Sequence, residues 1–262
     1  MKMFKKVMSV AVVAAMALSV FACADTAAET AAETEETVAA GLSLDGLEFM
    51  SYEEYDAADF DTEVTVLCMV QATQSWWENE GQGVISVYAQ DYDGAYFIYN
   101  MACSEEDAAL LTPGTTILVT GYKSQWSGEI EITDATFEFV DHQGEVFEPA
   151  DLTDHFGDED FLYTYQNEFF AMNDLTVEAI GENGEAFLYK YDGSGSQGDD
   201  LYFRVTNGET SATFTVESYL TGPDTDVYQA VEGLNVGDTI DVQGFLYWYE
   251  GVNPHITSVV VE

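Results

Sequence analysis

The sequence predicts an all-β protein with short helices, made of two tandem five-stranded β-barrels that follow a disordered tether. Three observations predict it. Past residue 45 the chain is rich in aromatic and β-branched residues that alternate with polar ones in short runs bounded by Gly, Asn and Asp, the pattern of half-buried strands. A segment in the first half of that region recurs in the second at a constant offset of 123 residues. Ahead of both lies a leader of wholly different composition.

The leader comes first. Lys2, Lys5 and Lys6 precede an apolar run from Val7 to Ala22, which together read as a secretory signal peptide. The run is shorter than the roughly 20 apolar residues of a membrane-spanning helix, and Asp25 follows it rather than a positive cluster. Val20-Phe21-Ala22-Cys23 has the form of a lipobox, with Cys23 as the lipidated residue, although Phe21 is larger than that position usually holds. Ordinary cleavage at Ala22-Cys23-Ala24 is the alternative. Residues 1–23 are therefore expected to be a lipoprotein signal peptide, and residues 24–45 an acidic Ala/Glu/Thr tether. The latter has too little apolar surface to offset its ordering entropy.

Two domains are expected beyond the tether, at residues 46–140 and 166–262, joined by a linker at 141–165. In the first, Val64, Val66, Cys68 and Val70 share one strand parity, as do Ile117 with Val119 and Ile130 with Ile132. Leu111 to Tyr122 aligns without a gap with Leu234 to Phe245, pairing Gly114 with Gly237, Ile117 with Ile240, Val119 with Val242 and Gly121 with Gly244. A mid-strand glycine often marks a sharp bend at a barrel corner. Tyr92 to Ala95 and Thr206 to Glu209 read as tight hairpin turns. Glu105 to Leu111 and Asp226 to Leu234 are the short helical pieces. Each copy thus reads strand, two-stranded hairpin, short helix, strand, strand. That is the order of the OB-fold, a five-stranded Greek-key barrel.

Gln74 to Trp77, Ala95 to Asp107, Thr133 to Phe137 and Gly244 to Tyr249 resemble lipoproteins of anaerobic, clostridia-like gut bacteria, and the resemblance covers most of residues 48–262. It implies a cell-surface location and OB-like domains. It brings no established activity with it.

Once the signal is removed, Lys123, Lys190 and Arg204 stand against 49 acidic residues, a net charge of −46. Such a charge repels phosphate backbones, and with so few cations to make phosphate contacts the expectation is no nucleic-acid partner. Cys68 and Cys103 form an even pair in an exported chain, so a disulfide is permitted. Both also lie in apolar strand-like runs that would bury free thiols.

No motif for catalysis stands out. Gly193 to Gly198 matches GxGxxG but lies between two strands, without the helix a dinucleotide site requires. Asp91-Tyr-Asp93-Gly94 and Asp192 to Asp200 lack the full ligand series of a calcium loop, which leaves no cofactor beyond weak calcium binding. His142, His155 and His255 are scattered. The aromatic residues point further. Trp76 and Trp77 fall between strands one and two of the first domain, and Trp126 between strands four and five. Tyr249 is the register mate of Trp126, beside Trp248 and Tyr247. In an OB-fold these connections flank the ligand face, so the six are candidate ligand-binding residues, unless they cover barrel ends or pack the domains together. The expected function is a non-catalytic, surface-anchored binding module for an extracellular glycan, peptide or protein, held at the membrane through a lipid on Cys23. An accessory subunit of a surface complex is the alternative, with a hydrolase or oligonucleotide binder behind it.

Overall fold

The computed structural model describes residues 41–262; the signal segment, Cys23 and most of the expected tether lie outside them. Strand β1 (Glu63–Thr73) buries Val64, Val66, Cys68 and Val70 on one face, as their parity requires. It pairs with β2 (Gln82–Gln90) on one side and β4 (Thr115–Trp126) on the other. β2 turns into β3 (Ala95–Ala102), which runs parallel to β5 (Glu129–Gln143), and β5 closes the ring against β4. The second barrel repeats this circuit. β6 (Phe169–Glu178) pairs with β7 (Leu201–Thr206) and β9 (Thr239–Phe245), β7 with β8 (Ser211–Val216), and β10 (His255–Val261) lies parallel to β8 and antiparallel to β9. In each sheet five strands close into a barrel with the OB strand order.

The duplicated glycines do the same work in both copies. A Cβ on Gly121 would lie 2.7 Å from Ile132, and one on Gly244 would lie 2.3 Å from the His255 carbonyl oxygen. At each the β4–β5 or β9–β10 register slips by one residue. The strand bends there because the neighbouring strand passes where a side chain would be.

Four helices attend the barrels. α1 (Tyr52–Ala57) starts on a capping box formed by Ser51 and Glu54. It ends where the buried Lys123 ammonium donates to the carbonyls of Tyr55, Asp56 and Ala58 at 3.0, 2.7 and 3.0 Å. α2 (Glu105–Ala108) and α4 (Asp226–Glu232) are the expected short helices between the third and fourth strands. Of these two only α4 buries side chains, placing Val227, Tyr228 and Val231 in its barrel's core.

The segment expected as a linker is instead structural. Ala150–Asp151 pairs with Phe170 and Ala171 of β6, and α3 (Glu159–Tyr163) follows a short 3₁₀ turn at Thr153–His155. Leu152, Phe156 and Leu162 are buried in the second core. Their burial makes this segment part of the second barrel rather than a connector. At the end of the expected tether, Leu42 is likewise tied to β5, its N–H donating to the Phe139 carbonyl at 2.7 Å.

Candidate ligand-binding cleft

The outer faces of the two barrels meet around a third cluster, formed by Tyr88, Phe97 and Phe245. Tyr88 stacks on Phe245 with ring centroids 4.3 Å apart and 11° between planes. Its hydroxyl pairs with His255 Nδ1 at 2.9 Å. On one flank Gln166 and Asn167, just before β6, clasp the start of β5: Gln166 accepts from Ile130 N–H and donates to the Gly128 carbonyl, and Asn167 donates to the Ile130 carbonyl. On the other, Ser75 N–H donates to the Tyr219 carbonyl at 2.7 Å and Gln74 donates to the Glu217 carboxylate at 3.1 Å.

Between these clasps opens a cleft of about 770 Å³ with both barrels in its walls. Trp77 stands on a short edge strand (Trp77–Asn79) paired with β2, and Trp126 ends β4. From the second barrel come Tyr191, Tyr202, Tyr219 and Tyr249. Trp126 and Tyr249, register mates in the duplication, touch across the gap with centroids 5.2 Å apart. The turns that carry them meet as well, Glu250 N–H donating to the Ser127 carbonyl at 2.7 Å. Ser127, Gly128, Glu250 and Gly251 all have positive φ, so each turn reverses the chain tightly enough to present its aromatic at the tip.

Of the six aromatics expected at a ligand face, Trp77, Trp126, Tyr247 and Tyr249 line this one cleft. Trp76 and Trp248 do not, which corrects their assignment. The Trp76 ring packs on the first barrel's core and donates its Nε1–H to the Cys103 carbonyl at 2.9 Å. Trp248 is only 7% exposed, within the second core. Alternation along an extended chain sends neighbours to opposite sides, so consecutive aromatics cannot all face one ligand.

Polar residues complete the cleft. Glu217 accepts from Gln74 and from the backbone N–H groups of Tyr219 and Leu220; burial nevertheless pushes its carboxyl up to about 7. Asp200 accepts from Ser218 N–H and Oγ, both through Oδ1. His255 is held down to about 3 by burial alone, so it is neutral as it stacks on Tyr247. Burial, with Asp200 and Glu217 nearby, raises the Tyr202 hydroxyl to about 12. The arrangement can stack flat or cationic groups and offer carboxylate acceptors.

Asp200, Glu217 and His255 were not among the residues expected at the ligand face. Asp200 follows the GxGxxG stretch, whose structural role is now visible: the loop Tyr191–Asp200 brings Tyr191 and Asp200 to the cleft and runs into β7, not into a helix. The calcium-like Asp91 is committed internally, accepting from Asp93 N–H, Gly94 N–H and the Tyr96 hydroxyl. Cys68 and Cys103 are free thiols buried in the first barrel, so the disulfide left open is not formed. Burial raises both, Cys103 to about 11.

No protein-family model matches the chain, and no curated protein does. Among solved structures, the p204 HINb domain is similar at 11% identity over 78% of this chain and 100% of that one, with a TM-score of 0.35. A murine DNA-binding protein bound to double-stranded DNA is similar at 12% identity over 76% and 97%, TM-score 0.33. A deletion mutant of the single-stranded DNA-binding protein of Thermus aquaticus is similar at 13% identity over 76% and 92%, TM-score 0.20. The likenesses are distant, and it is the strand pairing that defines the barrels. The expectation of no nucleic-acid partner is corrected by these neighbours, two of which are DNA-binding proteins.

Proposed function

We propose that the protein is a binding module whose ligand, an extracellular glycan, peptide or protein, lies in the aromatic cleft between the two barrels. One observation carries this reading: Trp77, Trp126, Tyr191, Tyr219 and Tyr249, drawn from both barrels, converge on a single cleft while each stays more than 40% exposed. Large aromatics ordinarily bury most of their surface, and a cleft of this size suits a ligand of several rings or side chains. The test is a screen of the purified protein against glycans, peptidoglycan fragments and secreted proteins. A hit lost in Trp126→Ala, with thermal stability retained, supports the cleft. A hit indifferent to Trp126→Ala and Tyr249→Ala rejects it.

The module acts at the cell surface, tethered through a lipid on Cys23. The lipobox-like Val20 to Cys23 and the acidic stretch after it support that address. Cys23→Ser should move the protein from the membrane fraction to the medium. Retention in the membrane fraction would reject the lipid anchor.

A further inference from the structure

We infer that the cleft takes arginine or lysine side chains of an extended peptide segment. The inference rests on the binding reading above and narrows it to one ligand chemistry. Aromatic faces carry negative electrostatic potential and attract ammonium and guanidinium groups. Here Trp77, Trp126, Tyr191 and Tyr219 offer such faces, and the walls hold two carboxyl groups, Asp200 and Glu217, with no Lys or Arg among the lining residues.

The neutral polar groups of the cleft are largely spent within the protein. Gln74 donates to Glu217, Asn253 accepts from Thr215, and the Ser75 hydroxyl donates to the Tyr219 carbonyl. Asp200 is different. Both of its bonds fall on Oδ1, and Oδ2 has no hydrogen-bond partner among the described residues. What the cleft offers an incoming group is therefore ring faces and a carboxylate oxygen, which a guanidinium satisfies with its plane and its N–H donors at once.

Among the described residues, no Lys or Arg of the protein competes for it. Lys123 is buried capping α1, Lys190 pairs with Asp199 at 3.6 Å, and Arg204 pairs with Glu178 at 3.1 Å. The net charge of −43 over the full chain draws cations to the molecule. A peptide is favoured over a small free cation by size, because about 770 Å³ between two barrels far exceeds one ammonium group.

The experiment is a titration of the purified protein, followed by tryptophan fluorescence, with an N-acetylated, C-amidated triarginine peptide. Its citrulline counterpart, spermidine, chitotriose and a short oligothymidine are titrated in parallel. Triarginine should bind at least about tenfold more tightly than the citrulline peptide, which keeps the shape and loses the charge, and binding should weaken with salt. Tyr191→Ala and Asp200→Asn should each reduce affinity by about 2- to 30-fold at unchanged thermal stability. Asparagine retains the oxygen that Ser218 needs, so folding is not at issue. Equal binding of the citrulline peptide, or no triarginine binding, overturns the inference. Spermidine binding as tightly as the peptide overturns the assignment to a peptide. Chitotriose or oligothymidine binding that is lost in Trp126→Ala, without triarginine binding, overturns the cationic class while leaving the cleft as the binding site. Triarginine binding unaffected by Tyr191→Ala, Asp200→Asn and Trp126→Ala overturns both.

Discussion

The two barrels share a strand order and differ in how they seal themselves. The second is sealed by three elements: α4 buries three residues, α3 adds Leu162, and Trp248 plugs its β9–β10 connection. The first has an α2 with no buried residue, and relies on α1, which precedes its first strand as α3 precedes the second barrel's and is capped by Lys123. Its own β4–β5 turn sends Trp126 outward instead. Both copies thus send a register mate of this loop, Trp126 or Tyr249, to the shared cleft, while only the second also spends a residue of it, Trp248, on its own core.

That contrast can be broken most sharply at Trp248. Trp248→Ala should cost about 3–5 kcal/mol, the usual cost of emptying a buried aromatic site. Circular dichroism melts should show it as a large fall in Tm. Next comes Lys123→Met, which removes three donors from the end of α1 and should cost about 1–3 kcal/mol. Hydrogen exchange should show α1 opening while β6–β10 keep their protection. Equal loosening of both barrels would mean that α1 does not seal the first one alone.

A smaller effect is expected from pH, and it reads the seam between the barrels. Glu129 is fully buried, with Oε2 accepting Trp248 N–H at 2.8 Å. Burial holds its carboxyl well above the ordinary range and puts Glu131, Glu168 and Glu217 at about 7. A raised carboxyl keeps its proton longer in the folded than in the unfolded protein. Its stabilising contribution is therefore complete below about 4.5 and is lost as pH rises through about 7. Tm should fall from pH 5 to pH 8, and Glu129→Gln should flatten that slope and raise Tm at pH 8. A Tm that climbs with pH would contradict this account of the seam. The smallest effect belongs to Trp77→Ala, expected within about 0.5 kcal/mol because its ring is exposed. Trp76→Ala, one residue away, should cost several times more, since its ring packs on the core. Matching losses for the pair would erase the distinction between core and cleft.

Much of the fold is legible in the sequence because barrels leave periodic traces. The parity of Val64 through Val70 reports an inner face, and the mates Gly121 and Gly244 report two bends forced by close strand approach. α1 left no such trace, since six residues cannot show a helical period; only the Ser51/Glu54 spacing marks it. The linker misled because Leu152, Phe156 and Leu162 are scattered among acids. The cleft was half visible. Trp126 and Tyr249 stand out through the duplication, but which of Trp76 and Trp77 faces outward depends on how an edge strand pairs. Asp200, Glu217 and Glu129 look like any of the other acids until tertiary structure buries them or turns them inward.

The most direct test of the cleft uses the four tryptophans, two assigned to cores and two to the ligand. Their indole N–H resonances should be assigned by substitution and followed as a ligand from the screen is added. The Trp77 and Trp126 signals should shift together at saturation, while those of Trp76 and Trp248 stay in place. A ligand that binds without moving Trp77 or Trp126 would contradict the claim that the space between the barrels is the binding site.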